Sequence, residues 1–271
     1  MKDMVFLKAV QYTGPALLQE EHFPLNLPVL QSIGNMDFSS PVTFLVGENG
    51  SGKSTVLEGL AAAIGSVTVG AESVGADGTL KHARILAQKL KLKWTTRTHK
   101  GFFLRAEDFF GFTKYLSALK NEMQERLSEL DEEYKDRSDY ALSYARMPYV
   151  GSIHALRDRY GDDLDANSHG ESFLKLFQSR FVPKGLYILD EPEAALSPMR
   201  QLALIALLKD MVGQESQFII ATHSPILMAY PGATIFGFDD GCIKKVAYND
   251  IEHVILTRSF LNNPEQFLKH L

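Results

Sequence analysis

Residues 47 to 55 read Gly47-Glu48-Asn49-Gly50-Ser51-Gly52-Lys53-Ser54-Thr55, and this G-x-x-x-x-G-K-S/T spacing restricts the chain more than any other stretch. The glycines let consecutive backbone N–H groups turn inward, and the lysine falls where a helix has to begin. Upstream, Pro41-Val42-Thr43-Phe44-Leu45-Val46 is a short β-branched and aromatic run that reads as a buried strand. Downstream, Val56 to Ile64 reads as a helix, so the strand, loop and helix that give the spacing its meaning are all present. Such a loop is expected to cradle a nucleoside triphosphate. Lys53 would reach the β- and γ-phosphates, the Ser54 hydroxyl would ligate Mg²⁺, and Thr55 would touch the α-phosphate.

Two later stretches are complementary to that loop. Leu186-Tyr187-Ile188-Leu189-Asp190-Glu191 is an apolar strand that ends in two carboxylates. Asp190 is placed to hold Mg²⁺ alongside Ser54, and Glu191, one residue on, to act as general base on an attacking water. Phe218-Ile219-Ile220-Ala221-Thr222-His223 is a second buried strand with a polar end, where His223 would sense the γ-phosphate and orient water or Glu191.

The rest of the chain reads as an alternation of strands and helices. Residues 4–12 form an opening strand, and 22–41, broken by Pro24, Pro28, Gly34 and Pro41, are irregular edge structure. Within this early region Phe23 and Tyr12 are candidates to stack on a base. Gly65 to Gly78 reads as a loop or short strand pair. From Lys81 to Arg105 there is no acidic residue but Lys81, Arg84, Lys89, Lys91, Lys93, Arg97, Lys100 and Arg105 are basic. That stretch reads as the solvated face of a strand pair, with a polyanion such as a nucleic-acid backbone as the other use for it. Phe102 to Leu104 is a strand that runs into a helix, in which Leu116, Leu119, Met123, Leu127, Leu130 and Tyr134 recur at steps of three and four opposite a strongly acidic face. A surface helix or hairpin arm is expected there, and an irregular segment over 147–169. A helix opening at Ser168 to Glu171, a strand at 185–190, a helix at 198–211, a strand at 217–222 and a short helix at 225–229 follow. Asn263-Pro264-Glu265 starts a last short helix. The alternation predicts an α/β fold with a mostly parallel sheet covered on both faces.

Composition narrows the partners. The chain of 271 residues carries 45% hydrophobic and 23% charged residues with a net charge of −5, so no global basic field favours nucleic acid. A single cysteine, Cys242, rules out an internal disulfide and a cysteine metal cluster. No run approaches the length of a membrane span and the first residues lack a signal-peptide pattern, which together suggest a cytoplasmic protein without direct membrane insertion.

Taken together, Gly47 to Thr55, Asn167-Ser168-His169-Gly170-Glu171-Ser172, Leu189 to Pro198 and Ala221-Thr222-His223-Ser224-Pro225 resemble the Walker A, signature, Walker B with D-loop, and H-switch segments of the ABC ATPase superfamily. Over nearly its whole length the chain resembles the stand-alone bacterial ATPases of the AAA/ABC-like type, which are distantly related to chromosome-maintenance and repair ATPases. The resemblance implies a single ATPase domain over 1–271, with a helical insertion and signature subdomain at about 108–166. It also implies a homodimer that closes on ATP, with Ser168 and Gly170 of one subunit facing the other subunit's ATP. The signature departs from the transporter form, with Glu171 where a glutamine is usual. Glu107 or Arg105 would take the place of the Q-loop glutamine, Glu107 as a Mg²⁺ or water ligand. The output would be nucleic-acid-linked or defence-related, or would act on a protein partner. The alternatives are the nucleotide-binding subunit of a membrane transporter and an ATP-binding interaction switch.

Overall fold

A computed structural model of the chain describes residues 5–14, 22–34, 36–68, 80–160 and 169–269, leaving aside the side chains of 106, 107, 109, 110, 112, 113, 159, 160 and 169–172. Six strands form the larger sheet: β3 (Val42–Val46), β5 (Phe103–Arg105), β6 (Leu186–Asp190), β7 (Gln217–Ala221), β8 (Thr234–Asp239) and β9 (Cys242–Lys245). Their spatial order is β5-β6-β7-β3-β8-β9, parallel throughout except for the β8–β9 hairpin. A smaller antiparallel sheet orders β2 (Met36–Asp37), β1 (Leu7–Tyr12) and β4 (Leu90–Trp94) as β2-β1-β4. The architecture is α/β, a mostly parallel sheet with a smaller antiparallel β portion and a helical insertion between β5 and β6.

β3, β6 and β7 are buried at every residue, which explains why they read as continuous apolar runs rather than alternating ones. Alternation is still present, between two cores. Val42, Phe44, Val46, Tyr187, Leu189, Phe218 and Ile220 face one of them. Leu45, Leu186, Ile188, Ile219 and Ala221 face the other. The first core is covered by α6 (His169–Arg180) and α7 (Pro198–Gly213) through Phe173, Phe177, Leu204 and Leu208. The second is covered by α2 (Lys53–Ile64), α3 (Lys81–Ala87), α1 (Pro28–Gln31) and the small sheet.

The parallel strands β5 and β6 are hydrogen-bonded neighbours, yet the chain between them carries α6 and two long helices, α4 (Ala106–Glu133) and α5 (Asp139–Tyr160). The stripe read from the sequence faces inward on α4: Leu116 and Leu130 are buried and Leu119, Met123, Leu127 and Tyr134 partly so, while Glu122, Glu125, Glu129, Glu132 and Glu133 are exposed. Arg146 on α5 pairs with Asp131 on α4 at 3.1 Å across the hairpin. Among the described residues no helix is long and apolar enough to cross a membrane.

Two expectations are corrected. Residues 147–160 are helical, not irregular, because α5 continues through Pro148 and Gly151, and its packing against α4 carries the helix past both. The basic stretch is not one strand pair. It spans α3, β4 and the loop to β5, and the two strands belong to different sheets. Exposed Lys91 and Lys93 lie on the edge strand β4, where lysines discourage strand addition. Arg105 leaves the patch altogether, bonding Asp108 through Nε at 2.9 Å and Nη2 at 2.6 Å. The sequence reading also passed over β8, β9 and α9 (Glu252–Asn262), whereas the final helix α10 (Pro264–Leu268) is capped by Asn263 as expected. Residues 69–78 of the expected 65–78 loop lie outside the described residues.

The two sheets are joined by Gln217, fully buried at the start of β7. Its Oε1 accepts from the N–H of Phe6 at 2.8 Å and of Leu7 at 2.9 Å, and its Nε2 donates to the Leu7 carbonyl at 3.0 Å. Replacing it with leucine strands three backbone groups in the core, each costing about 1–3 kcal/mol. Gln217→Leu is therefore expected to lose about 3–5 kcal/mol of unfolding free energy, read as a lower urea midpoint.

Candidate active site

Strand register brings the distant motifs to one edge. Asp190 on β6 is opposite Ala221 on β7, and Ala221 is opposite Leu45 on β3. The next residues on these three strands are Glu191, Thr222 and Val46, followed at once by His223 and by Gly47 of the loop. All leave the sheet at its carboxyl edge, the position at which open parallel sheets bind ligands.

The loop has the backbone its glycines permit. Gly47 has φ +148° and runs so close to β8 that a Cβ would lie 2.5 Å from the Phe238 carbonyl oxygen. Gly52, the N-cap of α2, has φ +95° and a Cβ there would press on Val29 at 2.9 Å. Lys53 opens α2 and is buried; its Nζ donates to the carbonyls of Gly47 at 2.8 Å and Glu48 at 2.7 Å. Burial pulls the Lys53 pKa down, against the opposing pull of Glu191, Asp190, Glu193 and Asp239. The rest of the expected cradle, Asn49, Gly50 and Ser51, forms the turn, with Ser51 Oγ 3.4 Å from the lysine ammonium, and Ser54 and Thr55 continue into α2.

Asp190 is hydrogen-bonded by the Ser54 side chain, so the two residues expected to share a metal ion do meet. Its other oxygen, Oδ1, is buried without a partner. Desolvation pushes the Asp190 pKa up to about 7, with the Ser54 bond acting in the opposite direction. Glu191 turns off the strand with φ +49°, a left-handed conformation uncommon outside glycine, held by its N–H to the Ala221 carbonyl at 3.0 Å. Its Oε1 lies 3.6 Å from His223 Nε2, too far for a direct hydrogen bond, and that buried nitrogen has no partner. Burial, then the Lys53 charge, lowers the His223 pKa.

A divalent metal fits this donor set. Among the described residues no three carboxylates, histidines or cysteines form a cage by themselves. Mg²⁺ characteristically takes one or two protein oxygens and completes its shell with phosphate and water, and the unpartnered Asp190 Oδ1 beside the Ser54 hydroxyl offers that partial set.

Not every expected residue joins the cluster. Gly170 stands in the first turn of α6, whose principal neighbours are α5 and α7. Ser168 lies outside the described residues. Glu107 lies in the first turn of α4, with its side chain likewise outside the description. Arg105 is level with Asp190 on the adjacent strand, and its guanidinium lies 3.7 Å from Glu58, which also bonds His82 Nε2 at 2.5 Å. Phe23 is exposed and packs against the His82 ring, and Tyr12 ends β1 half-buried. Two residues that were given no role from the sequence do reach the site. Glu193 bonds the segment that carries His223, and His253 of α9 sets its ring 6.5 Å from that of His223 with its Nε2 buried and unpartnered. The first lies within the Leu189 to Pro198 segment that resembles Walker B with D-loop, and nothing marked the second.

Because the folded chain keeps the Asp190 proton up to about pH 7, which the unfolded chain loses near pH 4, this carboxyl's contribution is complete below about pH 4 and is lost as pH rises through about 7. The lowered histidines act in the opposite sense, so the effect is isolated as a difference. Unfolding free energies of the nucleotide-free chain and of Asp190→Asn, measured from pH 4 to 8, should diverge in favour of the variant by on the order of 4 kcal/mol.

Sequence comparison connects this geometry to known proteins. An AAA domain model matches residues 31–103, and a model described as "AAA domain, putative AbiEii toxin, Type IV TA system" matches residues 112–229. The chain is 29% identical over 204 residues to the cobalt import ATP-binding protein CbiO of Salmonella typhimurium, covering 73% of this chain and 67% of that one. It is 26% identical over 234 residues to the lipoprotein-releasing system ATP-binding protein LolD of Hahella chejuensis, covering 83% and 91%. Among solved structures, the Smc head domain of Pyrococcus furiosus bound to the C-terminal domain of ScpA aligns with a TM-score of 0.45 at 13% identity, over 96% of this chain and 100% of that one. The ADP conformation of an ATP-binding cassette from an ABC transporter aligns with a TM-score of 0.43 at 15% identity, over 84% and 89%.

Proposed function

From a chain that carries AAA-type domain sequence and has ABC ATPases among its homologues, we propose a Mg²⁺-dependent ATPase that closes as a homodimer around ATP. The observation that carries the reading is the convergence of Lys53, Ser54, Asp190, Glu191 and His223 at one sheet edge.

Each residue has a task that its surroundings suit. Lys53 exchanges its bonds to the Gly47 and Glu48 carbonyls for oxygens of the β- and γ-phosphates, while the loop N–H groups and the α2 N-terminus receive the rest of the triphosphate. Asp190 and Ser54 would hold Mg²⁺, which supplies charge neutralisation to the phosphates when bound. Glu191 accepts the proton of the attacking water. His223, kept neutral by burial, spans the gap between that carboxylate and the γ-phosphate. In the dimer, Gly170 in the first turn of α6, together with Ser168 of the same motif, meets the ATP of the partner subunit, and the α4–α5 hairpin is the inserted arm of a single domain.

For the output, we favour a nucleic-acid-linked or defence-related role with a macromolecular partner, supported by the toxin–antitoxin description of the model that matches residues 112–229. The named import and lipoprotein-releasing relatives favour a second reading, a nucleotide-binding subunit that works beside a separate membrane partner. Co-purification separates the two, since nucleic acid or a soluble protein supports the first and a permease the second.

Glu191→Gln removes the base and leaves the phosphate contacts. It should lower steady-state phosphate release by about a hundredfold or more and accumulate an ATP-bound dimer in gel filtration. A wild-type chain that stays monomeric in saturating ATP would overturn the dimer mechanism.

A further inference from the structure

The residues placed on the phosphates leave one buried carboxylate at the site without a task. Glu193 lies two residues beyond the proposed base, in a segment folded into two successive tight turns by Ala194 N–H to Glu191 O at 3.1 Å and Leu196 N–H to Glu193 O at 2.8 Å. One of its oxygens, Oε1, accepts from the Thr222 hydroxyl at 2.7 Å and from the His223 backbone N–H at 2.6 Å. Its other oxygen is buried without a partner. A carboxylate removed from water at this cost is expected to hold something in place.

We propose that Glu193 is the positioning residue for His223. It ties the backbone of the histidine to the turn that carries Glu191, and so fixes the 3.6 Å separation between the two side chains.

The local covalent and hydrogen-bond geometry supports this. His223 lies two residues beyond the end of β7, where the ladder has ended, so strand pairing no longer fixes its φ and ψ. Glu193 replaces the ladder on one side. On the other side the Ser224 hydroxyl donates to Gln201 Oε1 at 2.5 Å, and Gln201 Nε2 donates to the Leu196 carbonyl at 3.0 Å. The histidine is therefore bracketed by two tethers, both anchored in the stretch from Glu193 to Gln201. Thr222 is fully buried and Ser224 nearly so, and each spends its hydroxyl on this arrangement. His223 itself is left with a free ring nitrogen directed at neither tether. The backbone is held and the imidazole is available, which is what a residue that must meet both a carboxylate and a phosphate requires.

The inference deepens the ATPase reading and rests on it for its consequence in turnover, so its test has two arms. In the first, Glu193→Ala should lower kcat by about ten- to a hundredfold with little change in KM for ATP, because a small displacement of a catalytic group costs rate rather than binding. Glu193→Gln, whose carbonyl oxygen accepts the same two bonds, should stay within a few-fold of wild type. Thr222→Val, which removes one tether, should fall between them. In a His223→Ala background Glu193→Ala should cause no further loss. In the second arm, which needs no turnover, the His223 ring resonances, identified by their loss in His223→Ala, should shift or broaden in Glu193→Ala and keep their positions in Glu193→Gln. Losses that multiply in the double variant, or a His223 signal indifferent to Glu193→Ala, would overturn the proposal. Absence of phosphate release from the wild-type chain would instead overturn the ATPase reading, and the resonances would still decide the role of Glu193.

Discussion

Everything at the site depends on the parallel ladder that keeps β6, β7 and β3 in step. With Asp190, Ala221 and Leu45 at one level, three strands from distant parts of the chain end together. β7 lies between the strand of the paired acids and the strand of the lysine loop, so whatever follows β7 emerges between them. A histidine one residue after Thr222 is thus central by topology, before any side-chain contact is considered. A slip of one residue in either pairing would turn each strand's side chains to the opposite core and move the motifs out of line. The burial of Phe44, Tyr187, Leu189, Phe218 and Ile220 on one side and Leu45, Ile188 and Ile219 on the other makes that slip costly.

The charged groups gathered at this edge are partly buried, and each is tolerable because of its neighbours. Lys53 has two carbonyls to bond and four carboxylates in its field. Asp190 has the Ser54 hydroxyl, and Glu193 has Thr222 and a backbone N–H. Farther back, Arg105 bridges between Asp108 and Glu58, linking the end of β5 to the middle of α2. The site is a set of interdependent charges in which removing one raises the cost of the rest, not a row of independent residues.

What could be read in the sequence was whatever has a fixed spacing. The loop from Gly47 to Thr55 and the strand ending in Asp190 and Glu191 are local patterns whose structure follows from a few adjacent residues, and the α4 stripe follows from helical periodicity. Three things had no such signature. α5 contains Pro148 and Gly151, whose local preference is overruled by packing against α4. Glu193 and His253 reach the site through turns and through the β8–β9 and α9 segment, so their relevance exists only in three dimensions. Lys81 to Arg105 looked like one surface because it is one stretch of chain, but the fold divides it between two sheets and a helix.

The lysine's bonds to Gly47 and Glu48 have a consequence for the proposed catalytic cycle. The ammonium pins the carbonyls at the start of the loop, so the loop keeps its shape on the protein's own account. On the proposed reading, nucleotide exchange asks a single side chain to swap one pair of oxygens for another, with the loop already assembled. Entry and departure of the proposed ligand become a local trade at the tip of Lys53.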